Sequence, residues 1–160
     1  MQDTPAKHDR STAVRHSKED ALSDRDFELL LEGAERCSDY WAHQARFIIL
    51  ICGRLGLRVG ELTHMRESWV DWRRQVIEIP RHQPCEKGRD GGICGTCRQH
   101  AKQMVAVDDD RDLEDMKARM WGPKTDMAVR EIPYDFSSRA TLALERFFDR
   151  YGRWPLSTNV

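Results

Sequence analysis

Apolar residues recur along this chain at two periods, and each period picks out its own elements. Phe27, Leu30, Leu31 and Ala34 share one face of a helical wheel. Ahead of them Ser23-x-x-Asp26 fits a capping box, with a shorter carboxylate than usual at its third position. Gly33 weakens that helix near its end. Ser38 or Asp39 opens a second helix running to about Leu55, with Trp41, Ala45, Ile48, Ile49 and Cys52 as the predicted core-facing stripe. Gly56 breaks it, and a short helix from Val59 to about Glu67 follows. The period then changes. Gln75 to Ile79 alternates polar and apolar residues, a half-buried strand ended by Pro80. Met127 to Tyr134 is a second strand carrying Val129 and Ile132, with Pro123 and Asp126 marking the turn before it. Ser137 or Ser138 caps a last helix bearing Leu142, Leu144, Phe147, Phe148 and Tyr151, which Gly152 and Pro155 stop. Between the strands, Pro84 to about Gln103 reads as an irregular insertion, and Asp108 to Met120 as either a charged helix or a loop. The predicted fold is α+β, mainly helical with a small antiparallel sheet. One domain spans 21–160 with a Cys-rich insertion at 82–103, and the polar residues 1–20 read as a disordered tail.

Composition narrows this little. At 160 residues, 39% hydrophobic and 33% charged, the chain has room for one lean core. A formal net charge of −1 does not by itself announce a nucleic-acid binder. Its distribution is uneven. Arg54 to Lys102 holds ten Lys/Arg against six acids, whereas Asp108 to Asp115 holds six acids and one arginine. The first stretch suits a phosphate-facing surface and the second a loop turned away from it. No apolar leader is present, and Phe47 to Cys52 is too short to cross a bilayer, so a cytoplasmic, membrane-free protein is expected.

Of five cysteines, Cys37 and Cys52 fall on predicted helices and read as small core residues. The other three cluster as His82-x2-Cys85-x8-Cys94-x2-Cys97-x2-His100. Gly95 gives the Cys-x-x-Cys a tight turn, and the residues around it offer almost nothing apolar to hold a loop. Thiolates with one imidazole make a closed tetrahedral Zn²⁺ site, and the metal would supply the organisation that the loop lacks. His82 is the favoured fourth ligand and His100 its rival. A disulfide is not expected in a reducing compartment. Trp69, Trp72, Trp121 and Trp154 read as packing residues.

The segment Leu55-Gly56-Leu57-Arg58-Val59-Gly60-Glu61-Leu62 fixes one arginine between two apolar helical pieces, with Glu61 placed to pair with it at i,i+3. Gly56 and Gly60 would let the backbone approach its neighbours closely. A held guanidinium matches two phosphate oxygens at once. This segment resembles the box around the first catalytic arginine of tyrosine recombinases, the phage integrase family. Trp69-Val70-Asp71-Trp72 with Gln75 to Pro80 looks like that family's first strand. Lys124-Thr125-Asp126-Met127-Ala128-Val129-Arg130-Glu131-Ile132-Pro133 looks like its lysine hairpin. The resemblance covers about Ala21 to Val160, the first half of a catalytic domain. It implies that Arg58 binds the scissile phosphate, that Glu61 orients it and that Lys124 acts as general acid for the departing 5′-hydroxyl. Arg130 would contact phosphate or an acid on the sheet.

The family's later His-x-x-Arg and nucleophilic tyrosine have no counterpart here. The last histidine is His100, and Tyr40, Tyr134 and Tyr151 all stand in other contexts. The expected function is DNA binding in site-specific recombination or integration, without strand cleavage by this chain alone. That would suit a piece of a longer chain, a decayed gene, or a half completed by a second polypeptide. DNA is the expected partner, with homo-oligomers on it a further option. No cofactor is expected for catalysis, with Zn²⁺ purely structural. The alternative is a non-enzymatic, zinc-stabilised DNA-binding or interaction module.

Overall fold

The computed structural model describes residues 22–107, 110, 112–118 and 121–152. The predicted tail at 1–20, Trp154 and Pro155 lie outside those residues. Helix α1 (Asp24–Glu35) starts at the expected box. Ser23 Oγ accepts from Asp26 N at 3.2 Å, and Asp26 Oδ2 accepts from Ser23 N at 3.3 Å. Helix α2 (Asp39–Leu55) ends at Gly56, whose φ of 70° is left-handed and costs a Cβ-bearing residue energy. Helix α1 buries Phe27, Leu31 and Ala34, while Leu30 faces solvent. Helix α2 buries Gln44, Phe47, Leu50, Ile51 and Leu55. Its core stripe is therefore rotated from the predicted one, and Trp41 and Ile48 are exposed. The physical reason is that Phe47 to Cys52 is apolar throughout, and a continuous run does not fix the phase of a helix. Cys37 is exposed rather than in the core, and Cys52 is only half-buried.

Helix α6 (Ser138–Tyr151) is capped by Ser137, whose Oγ accepts from Ala140 N at 3.3 Å. Its Ala140, Leu144, Phe147 and Phe148 are buried, and Phe147 stacks on Phe47 of α2 with ring centroids 3.9 Å apart. Leu142 is exposed instead of packed. Arg139 donates to Glu28 Oε1 at 2.7 Å, tying α6 to α1.

The sheet is antiparallel in the order β1 (Val70–Asp71), β2 (Val76–Ile79), β3 (Arg130–Pro133). The Trp69–Pro80 region thus holds two strands rather than one. The Asp71 carboxylate shapes the turn between them, accepting from Arg73 N and Arg74 N at 3.0 and 2.9 Å. Register sets Ile77 beside Ile132 and Glu78 beside Glu131. Like charges directly opposite one another repel. Arg74 answers this by donating to Glu78 at 2.9 Å and Glu131 at 2.6 Å. Strand β3 is shorter than predicted because Asp126–Ala128 forms a single 3₁₀ turn, leaving Met127 exposed.

Residues 80–129 lie between two paired strands. They are not irregular throughout. Gly95–Val107 forms helix α4 and Leu113–Ala118 forms helix α5. Helix α4 buries only Cys97 and Ala101, an i,i+4 stripe too narrow to stand out by periodicity. Through Cys85, Cys97, Ala101 and Trp121 the insertion joins the same apolar core as Ile51, Ile77 and Ile132. Among the described residues, no helix is long and apolar enough to cross a membrane.

Candidate functional site

Two clusters flank one short helix, α3 (Val59–His64). The first forms at its start. Glu61 is 2% exposed, a carboxylate taken out of water. Arg130, reaching from β3, donates to both of its oxygens at 2.8 and 3.0 Å, and Arg58 N donates to Oε2 at 2.9 Å. Burial pushes the Glu61 pKa up, but the Arg130 hydrogen bonds, the Arg58 N–H and both guanidinium charges outweigh it. The carboxyl therefore stays below its ordinary value of 4.5. Arg58's own guanidinium is not consumed in this. It lies 3.6 Å from Glu61 Oε1, and its side chain is 59% exposed. One carboxylate thus stands between two guanidinium groups, one locked and one outward. Arg130 finds its acid on α3, not on the sheet. Gly60 is not crowded, since a Cβ there would meet nothing within 4 Å. Lys124 is exposed, in the bend that precedes the 3₁₀ turn at Asp126–Ala128, and so stands at the far end of the insertion rather than at a tight hairpin tip.

The second cluster forms at the other end of α3. His64 Nε2 and the sulfurs of Cys85, Cys94 and Cys97 lie within 4.8 Å of one another. Cys97 Sγ is 3.4 Å and Cys94 Sγ 3.7 Å from that nitrogen. Tetrahedral Zn²⁺ with ordinary Zn–S and Zn–N bonds sets sulfur and nitrogen about 3.6 Å apart, so the four donors fit such an ion. His64 Nδ1 lies 2.8 Å from the Gly60 carbonyl oxygen, which can only accept. The proton therefore sits on Nδ1, and the Nε2 lone pair faces the sulfurs, as a ligating imidazole requires. Backbone N–H groups serve the sulfurs too, with Cys94 N donating to Cys85 Sγ and Cys97 N to Cys94 Sγ, each at 3.5 Å. Hydrogen bonding from Cys97, with more from His64 and the backbone, pulls the Cys85 thiol down to about 3 against the effect of burial. The same contact, with burial, pushes Cys97 up. The loop between Cys85 and Cys94 closes tightly at Gly88, where a Cβ would come within 2.5 Å of the Gly92 and Ile93 carbonyl oxygens.

The three insertion cysteines meet as expected, but the fourth donor is neither His82 nor His100. Those two line a separate cavity of ≈ 740 Å³ with Arg81, Met104 and Asp126. Spacing pointed to the histidines nearest the cysteines. His64 lies on the preceding element, and only the third dimension brings it in. The helix delivers it with its carbonyl already taken by Gln83 Nε2 at 2.8 Å and its ring stacked on Trp121, centroids 5.3 Å apart. Gln83 Oε1 in turn accepts from Trp69 Nε1 at 2.7 Å. Trp69 and Trp121 are accordingly packing residues, as expected, and Trp72, though 39% exposed, sets its ring edge-on to Tyr134 and Phe148 with centroids 6.3 and 6.2 Å apart. The signal for His64 was present but faint: a histidine at a helix end, just ahead of a metal-type cysteine set. Arg130 as the partner of Glu61 was likewise missed, being 69 positions distant. No family model, no curated protein and no solved structure matches this chain.

Proposed function

We propose that this protein binds the DNA backbone as the arginine-bearing half of a tyrosine-recombinase-type domain, with one structural Zn²⁺ held by His64, Cys85, Cys94 and Cys97. The observation that carries the phosphate assignment is the division of labour around Glu61. The buried carboxylate is saturated by Arg130 and a backbone N–H, which leaves the Arg58 fork facing outward at 59% exposure. A guanidinium so oriented and so lightly paired suits two phosphate oxygens. In strand exchange it would offset charge developing on the non-bridging oxygens, with Lys124 as the general acid that the resemblance suggests. The zinc assignment rests on the donor set. Three soft sulfurs and one imidazole nitrogen at tetrahedral separations favour Zn²⁺ over the oxygen-seeking cations. When bound, the ion would organise the insertion and take no part in phosphate chemistry.

Titration of a fluorescent duplex across salt concentrations tests the first assignment. Arg58→Ala should weaken binding about tenfold and lower the salt slope by about one. An unchanged slope would sink it. Covalent DNA adducts, formed when a polypeptide bearing His-x-x-Arg and a tyrosine is added and lost in Arg58→Ala, would take the assignment on to recombination. The zinc-stabilised module without recombination chemistry is the second reading, favoured by the sulfur cluster itself. In it Arg58 and the basic stretch grip phosphate without chemistry, so it predicts salt-dependent, sequence-indifferent DNA binding and no covalent adducts. Metal analysis should find about one zinc per chain, lost on Cys94→Ser but kept on His82→Ala and His100→Ala.

A further inference from the structure

We infer that the metal centre sets the pose of Arg58, so that metal occupancy gates the grip on phosphate. This rests on the phosphate assignment above and adds a control to it. The connection runs through two contacts and a short piece of backbone. A metal at the cysteine cluster would hold His64 Nε2. The opposite ring nitrogen donates to the Gly60 carbonyl at 2.8 Å. Gly60 stands between Arg58 and Glu61, in the first turn of α3.

Helix α3 has six residues, too few to persist on propensity alone. Its geometry is set by what anchors its two ends. Glu61 fastens the start to Arg130 on β3. His64 fastens the finish to the insertion, aided by Gln83 on its carbonyl and Trp121 against its ring. Arg66 adds a tie just beyond, donating to the Pro84 carbonyl at 2.6 Å and lying 3.3 Å from Glu86. The ring nitrogen's hold and the Arg66 tie depend on the loop from Pro84 to Cys97 keeping its shape, whereas Gln83 and Trp121 lie outside it and exchange two backbone hydrogen bonds. That loop contributes little apolar burial beyond Cys85 and Cys97 themselves. Without the ion, only weak sulfur contacts would hold the His64 ring, and the last turn of α3 would rest on Leu62 in the core and Gln83 on its carbonyl.

Hydrogen exchange and duplex binding, read on the whole chain with zinc and after stripping by a chelator, test this. Stripping should speed exchange at the Glu61 to His64 amides about tenfold while leaving α2 and α6 unchanged. It should also weaken duplex binding about tenfold, and Arg58→Ala should then cost nothing further. The variant His64→Cys separates the ion from the relay, because it completes a four-cysteine site yet cannot donate to Gly60. It should bind one zinc and still show fast exchange in α3. Equal exchange in α3 with and without metal, or an Arg58→Ala penalty of the same size in both states, would overturn the proposal. Loss of protection in α2 and α6 as well would overturn it too, since the ion would then hold the whole fold rather than this helix. If Arg58→Ala has no effect on the zinc-loaded chain, the phosphate assignment is what fails. The exchange data then decide the coupling alone, for it if α3 loosens and against it if α3 does not.

Discussion

The helical layer of α1, α2 and α6 and the insertion at 80–129 are built on opposite principles. The first is held mainly by apolar packing, with surface pairs such as Arg139–Glu28 at its rim. Leu50, Ile51, Ala140 and Leu144 are each 0% exposed, and ring stacking joins α2 to α6. The second reaches the core through a few residues, two of them cysteines whose sulfurs face one another. Apolar packing spreads over many weak contacts and degrades gradually, whereas a four-donor cluster is present or absent as a unit. Helix α3 lies between the two regimes, with Leu62 in the apolar core and His64 in the cluster.

Removing metal should separate the regions most sharply. Apparent zinc affinities of such sites amount to roughly 10 kcal/mol or more, so a strong chelator should unfold the insertion and leave the helical layer folded. Proteolysis checks this, with cuts expected between Pro84 and Val107 and a protected fragment containing α1 and α2. Next in size is Glu61→Gln. It strands Arg130 beside a neutral amide and should cost roughly 3–5 kcal/mol in urea unfolding. It also carries a pH signature. The Glu61 carboxyl sits below 4.5 when folded, so its stabilisation is fully present above that value and fades as pH falls through the folded one. The variant should therefore lose less stability than the parent on acidification below about 4.5. Leu144→Ala, within the apolar layer, should cost about 3 kcal/mol, and the cost should be the same with and without zinc. Arg74→Ala should have the smallest effect, under about 1 kcal/mol, because its partners Glu78 and Glu131 are half exposed and water screens them. A Leu144→Ala cost that changed with zinc would show that the two regions are not independent.

The same contrast explains what could be read ahead from the sequence. Local signals were legible where one residue type has one use. Ser23 and Asp26 capped α1, Gly56 closed α2, and Ile77 and Ile79 marked a strand by alternation. Phase was lost in α2, where six successive apolar residues fit more than one stripe. Helix α4 was missed because the insertion's polar composition concealed a helix that needs only Cys97 and Ala101 inside. The site divided in the same way. Cys85, Cys94 and Cys97 were legible because metal sites favour short spacings, and Glu61 because it neighbours Arg58 in sequence. His64 and Arg130 were not, since each completes its cluster from another element, and no local pattern encodes that distance.

At the base of the insertion, Gln83 and Trp121 exchange a pair of backbone hydrogen bonds, N to O at 2.8 and 2.7 Å. The long excursion therefore has its two ends meeting at one backbone bridge. Its two ends are already side by side, so excising everything between them would need only a short turn to rejoin the chain, with little change in closure entropy for the remaining sheet. Shortening the excursion there would leave the β2–β3 register in place but would take Cys85, Cys97 and Ala101 out of the core they share with Ile51 and Ile77.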